Sequence, residues 1–179
     1  VLFTVREDFS LGSSSNAWGP VNVNADWNVL VANGKTLNVY GALNSSGRTI
    51  TVGGEGFSGT LVLNNAANAS MTAEWVITSG STVRCMNNSA LGSGLVTLDG
   101  GTLDFNSQTI GSAITLNMSG TGTLQNVTVD GAILSYTSSS GNDGITASNT
   151  TWTSGKIDIG RLLQGFSAEG SNTVDLGAE

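Results

Sequence analysis

The chain has 179 residues and a net charge of −7, and Gly 25, Ser 23, Thr 21 and Asn 18 make up nearly half of it. Charged residues are 11% against roughly 25% in ordinary globular proteins, His is absent and Cys occurs once. These figures exclude Ser-His-Asp and Cys-His catalysis, the commonest zinc ligand and an internal disulfide. They also argue against nucleic acid and anionic membrane partners, and no apolar run approaches the roughly 18 residues of a membrane helix.

In chain order, Val1-Leu2-Phe3-Thr4-Val5 reads as an apolar strand, closed by the charged triplet Arg6-Glu7-Asp8. Ser13-Ser14-Ser15 marks a loop, and Trp18 and Trp27 bracket Pro20. A series of alternating polar and apolar runs follows: Thr36–Val39, Thr49–Val52, Thr60–Leu63, Thr82–Cys85, Thr102–Phe105, Lys156–Ile159 and Thr173–Leu176. This period of two predicts strands with one buried face. Asn33-Gly34, Gly53-Gly54, Asp99-Gly100-Gly101, Asp130-Gly131 and Asp143-Gly144 predict the corners between them. Arg161–Phe166 breaks the alternation and reads as a capping loop or a helical turn. The chain begins with Val1 rather than Met, which fits a mature or excised piece.

The strands recur at a fixed interval. Leu37, Leu61, Val83, Leu103, Leu124 and Ile145 are spaced by 24, 22, 20, 21 and 21 residues. An interleaved series runs Ile50, Val76, Val96, Ile114, Ile133, Ile157 and Val174. A repeat of this length made only of short strands and turns predicts an all-β stack of coils, a β-solenoid of about seven or eight turns. A β-sandwich is the alternative. The organisation expected is an N-terminal strand and cap segment at 1–30, coils over 31–160, and a C-terminal loop and last coil at 161–179. Leu61, Val83, Leu103 and Leu124 should form one buried column.

Residues Gly59–Val129 resemble the autotransporter-associated β-strand repeat of bacterial passenger domains. The resemblance rests on Gly59-Thr60-Leu61-Val62-Leu63, Ala90-Leu91-Gly92-Ser93-Gly94, Gly100-Gly101-Thr102-Leu103-Asp104-Phe105-Asn106 and Ser112-Ala113-Ile114-Thr115-Leu116. It implies a right-handed parallel β-helix, a bacterial source and a secreted or cell-surface location. It implies no single activity, because such repeats serve mainly as a shaft.

Parallel β-helices include polysaccharide lyases and hydrolases that set carboxylates on neighbouring coils for acid–base work or calcium binding. The candidates are Asp99 with Asp104, Asp130, and Asp158 with Asp175. Asp99 and Asp130 sit in Asp-Gly turns, where the side chain caps its own backbone. Asp104, Asp158 and Asp175 occupy outward strand positions, so solvated carboxylates are expected. No catalytic, cofactor-binding or metal-binding residue is assigned, and no cofactor is implied. Cys85 should be a small buried apolar residue. Trp18, Trp27, Trp75 and Trp152 would contact a glycan if exposed, although packing or end-capping is the favoured role. Six Asn-x-Ser/Thr triplets, at Asn44, Asn68, Asn87, Asn117, Asn126 and Asn149, are close to the chance number. Outward Thr-x-Thr pairs at Thr49–Thr51 and Thr151–Thr153 look isolated, which argues against a regular Thr array of the ice-binding kind.

The sequence therefore favours a non-enzymatic extracellular structural protein, a rigid shaft or self-assembling surface fibre subunit. An adhesin that binds a glycan or host surface ranks second, and a polysaccharide lyase or hydrolase third. A terminal coil is a template for another coil. A head-to-tail homopolymer is thus the expected partner arrangement, joined through Val1, Leu2, Phe3, Thr4 and Val5 at one end and Val174 and Leu176 at the other.

Overall fold

The computed structural model describes residues 1–16, 18–65, 68–78, 80–111, 113–136, 144–157, 166–169 and 173–174. All the strand pairs in it are parallel, and each strand lies on one that comes a full turn earlier. The first turn carries β1 (Leu2–Val5), β2 (Phe9–Leu11) and β3 (Val21–Val23). Then come β4 (Trp27–Val31), β5 (Thr36–Val39), β6 (Leu43–Val52), β7 (Thr60–Leu63), β8 (Thr72–Thr78) and β9 (Thr82–Cys85). The stack continues through β10 (Gly94–Asp99), β11 (Thr102–Ile110), β12 (Ile114–Met118), β13 (Thr121–Tyr136), β14 (Gly144–Ile157), β15 (Phe166–Glu169) and β16 (Thr173–Val174).

The chain is a β-solenoid of about six turns, fewer than the spacing of its apolar residues predicts. The early turns are long: Leu2 lies beside Asn28, Phe9 beside Leu37 and Ile50 beside Trp75. Longer turns use up the chain in fewer coils.

The core column falls where the repeat places it. Phe9, Leu37, Leu61, Val83, Leu103 and Leu124 lie in one register, and from Leu37 onward all are buried. Its next member is Ala147 and not Ile145, which pairs with Gly122. The second series shifts more. The observed column is Ile50, Trp75, Val96, Leu116, Leu134 and Ile157. Val76 instead lies beside Thr97, Ile114 beside Gly94, Ile133 beside Thr115, and Val174 beside Trp152. In Trp75-Val76-Ile77 three apolar residues are consecutive, but the exposed Glu74 before them sets the alternation, with Ala73, Trp75 and Ile77 inward.

The corners follow the turn chemistry. Asn106, Asn126 and Asn149 adopt φ of 47°, 53° and 52°, the left-handed region that Asn tolerates. Gly53 has φ 100°, and a Cβ there would collide with the Thr78 carbonyl and the Ser81 hydroxyl of the next turn. Only glycine fits such a close approach.

Side chains at the corners also tie one coil to the next. Asp8 Oδ1 accepts from the Thr36 N–H at 2.8 Å, Asp26 Oδ1 from the Thr49 N–H at 3.0 Å, and Asn33 Oδ1 from the Ser58 N–H at 2.8 Å. Asn68, fully buried, accepts from the Leu43 N–H and donates to the Ala90 carbonyl, both at 2.8 Å. One side chain thereby bridges three consecutive turns.

Candidate functional site

The N-terminal end of the stack is the surface most distinct from the rest. β1 pairs with β4, β2 with β5 and β3 with β6, and among the described residues none has a second partner. Three strand edges therefore stand open side by side. The Val1 and Val5 carbonyls accept from the Asn28 and Ala32 N–H groups at 2.7 and 2.8 Å. Backbone groups alternate along a parallel strand, so Leu2 and Thr4 direct theirs to the free edge. Val1, Leu2 and Phe9 are 68%, 65% and 47% exposed. Phe3 and Leu11 face inward but are only partly buried, and Val5 is buried.

The charged triplet after β1 lies beside this edge, where Arg6, Glu7 and Asp8 line a depression with Phe3 and Phe9. Glu7 pairs with Lys35 Nζ at 2.7 Å, Asp8 caps the Thr36 N–H, and the Arg6 guanidinium lies 5.9 Å from the Phe57 ring centroid. All three reach along the stack to later turns. At the other end, Val174 contributes to β16 beside Trp152. Leu176 lies outside the described residues.

The candidate carboxylates do not converge on a described cluster. Asp99 and Asp130 are exposed, and Asp158 and Asp175 lie outside the described residues. No group of three or more Asp, Glu, Cys or His able to hold a metal occurs among the described residues. Asp104 departs from expectation: it is buried, not solvated. It lies beside Arg84 in register, and Arg84 Nε donates to its Oδ2 at 3.0 Å. Its Oδ1 accepts from the Asn126 amide at 3.0 Å and the Asn106 N–H at 2.9 Å. Burial pushes the carboxyl up, but hydrogen bonds from Asn126, the Asn106 amide, Gln125 and Arg84 outweigh it and hold the carboxyl below its ordinary value. Such a group is a structural anion and a poor proton donor.

Cys85 is fully buried, and burial, with the nearby Asp104 charge, pushes its thiol far above the ordinary range. Trp75 and Trp152 are fully buried and offer no ring to a sugar. Trp75 Nε1 donates to the Leu91 carbonyl at 3.1 Å. Trp27 is half-buried and Trp18 is 54% exposed. Of the six Asn-x-Ser/Thr positions, Asn68 and Asn117 are buried and closed to glycan attachment.

Neighbouring coils do not repeat the Thr-x-Thr pairs, since Thr49 lies beside Glu74 and Thr51 beside Val76, but single threonines do align in register. Thr36, Thr60, Thr82, Thr102, Thr123 and Thr146 form one column, and Thr109, Thr128, Thr151 and Thr173 another. The column two residues along from the first is Asn38, Val62, Arg84, Asp104, Gln125 and Ser148. A charged, uneven neighbour breaks up any flat Thr-x-Thr face. The Thr ladders are read as cross-strand pairing, worth about 0.2–1 kcal/mol per pair.

A polar depression of about 420 Å³ lies on the side of the early turns. Asn22, Asn44, Ser45 and Arg48 line it, and Asn44 Nδ2 donates to Asn22 Oδ1 at 3.3 Å. Among the described residues, no helix is long and apolar enough to cross a membrane. The chain matches no family model, no curated protein and no solved structure.

Proposed function

We propose that the protein is a non-enzymatic extracellular structural subunit, a rigid right-handed β-solenoid that assembles end to end into a surface fibre. One observation carries this reading: three parallel strand edges stand open together, beside exposed Val1, Leu2 and Phe9. A parallel edge is a ready template for another strand. A contact from one end to the opposite end does not close on itself, so it yields filaments. The autotransporter-like segment Gly59–Val129 supports a bacterial, cell-surface setting. Electron microscopy of the purified chain tests this. Filaments of solenoid width are expected, and isolated particles at every concentration contradict it.

A second reading, a glycan-binding adhesin, draws on the polar depression. Its carboxamides and hydroxyls beside the exposed Arg48 suit a hydroxyl-rich or acidic sugar. Binding to a panel of acidic glycans that is lost in Arg48→Ala would favour it over the fibre.

A further inference from the structure

We infer that the N-terminal turns of the solenoid form a binding site for a compact, uncharged apolar molecule. An apolar cavity of about 220 Å³, partly open to solvent, runs along the inside of these turns. Phe3, Leu11 and Val21 line it from the first turn, Leu37 and Leu61 from the core column, and Trp75 is the lining residue farthest along the stack. Trp18 and Trp27 also line it, and Trp18 is largely exposed. Every lining residue is apolar or aromatic.

The cavity has a physical origin. The turns around it are the long ones, where Leu2 reaches Asn28 and Ile50 reaches Trp75. Yet their inward residues are mostly Val and Leu, among them Val29, Val39 and Leu43. Long turns filled by small side chains leave space. Farther along, the bulky Trp75 and Phe105 occupy the interior.

The lining selects the occupant. Folded interiors rarely keep voids larger than a water molecule. Water needs two to four polar partners to stay in such a place, and no polar side chain lines this one. Trp75 has its indole N–H engaged by the Leu91 carbonyl and presents carbon to the cavity. An apolar cavity of about 150 Å³ in another protein stays dry and binds benzene or xenon. This one is larger and aromatic-walled, which suits a substituted single-ring or compact two-ring hydrocarbon. A charged group inside would meet no counter-charge and is excluded.

The test is titration of toluene into the full chain, followed by the indole N–H signals in NMR. Saturable one-to-one binding that moves the Trp27 and Trp75 signals and leaves Trp152 unmoved is the expected result. Val39→Phe fills the space and should weaken toluene binding by about tenfold or more. Leu61→Ala enlarges it and should bind naphthalene more tightly than the parent does, which keeps the idea testable if Val39→Phe does not fold. The inference is overturned if toluene gives no saturable shift, if all indoles move alike, or if a folded Val39→Phe binds as well as the parent. It is also overturned if toluene is displaced in step with self-association, because the occupant is then a second copy of the chain.

Discussion

Arg84 and Asp104 sit side by side on adjacent coils, and the guanidinium donates to the buried carboxylate at 3.0 Å. Because the folded carboxyl lies below its ordinary value, its ionisation adds stability above about pH 4, the unfolded value. That contribution disappears as pH falls through the folded value. Urea melts between pH 6 and pH 2 should show a steeper acid loss for the parent than for Asp104→Asn. Equal pH slopes would contradict the pairing.

Removing core volume from the central column should be costly. Leu103 lies between Val83 and Leu124, and all three are fully buried. Leu103→Ala is expected to lose about 2–5 kcal/mol in urea denaturation. Thr102→Ala, one residue away on the outward ladder, should lose less than about 1 kcal/mol. Similar losses at the two positions would mean that the inward and outward faces are misassigned.

Asn68 holds three turns together through two buried hydrogen bonds. Asn68→Ala leaves the Leu43 N–H and the Ala90 carbonyl without partners, at a cost of about 1–3 kcal/mol each. Hydrogen exchange at the Leu43 amide should quicken in this variant. An unchanged exchange rate there would show that the bridge is unimportant.

How far the sequence discloses this structure depends on the residue. The Leu61, Val83, Leu103 and Leu124 column was legible because a Thr precedes each inward residue in a short alternating run. Trp75 was overlooked because Val76 and Ile77 after it are also apolar, although the charged Glu74 before it already sets it inward. Asp104 was read as solvated because alternation faces it outward; the corner formed by Asn106 and Asn126 covers it. Asn68 offered no local signal, since both its partners lie a full turn away. The Thr60, Thr82, Thr102 and Thr123 column shares the spacing of the residues it precedes and was equally legible, whereas Thr109, Thr128, Thr151 and Thr173 are aligned only by the pairing. The open N-terminal edge was legible as an apolar strand, while the contacts of Arg6, Glu7 and Asp8 with Phe57, Lys35 and Thr36 were not.

Catalysis offers a separate check on the structural reading. Assayed against pectins, alginates and other acidic glycans with calcium, the protein is expected to give no turnover. Cleavage that vanishes in Asp99→Asn or Asp104→Asn would replace the fibre reading with an enzymatic one.

The most direct measurement is sedimentation of the full chain over a range of concentrations, beside Thr4→Pro. Thr4 directs its backbone N–H to the free edge of β1, so proline there removes an outward donor and leaves the β4 ladder in place. The account predicts that the parent grows into larger species as concentration rises. Thr4→Pro should keep the same circular dichroism and stay monomeric. A parent that is monomeric throughout, or a folded Thr4→Pro that assembles as the parent does, would contradict assembly through this edge.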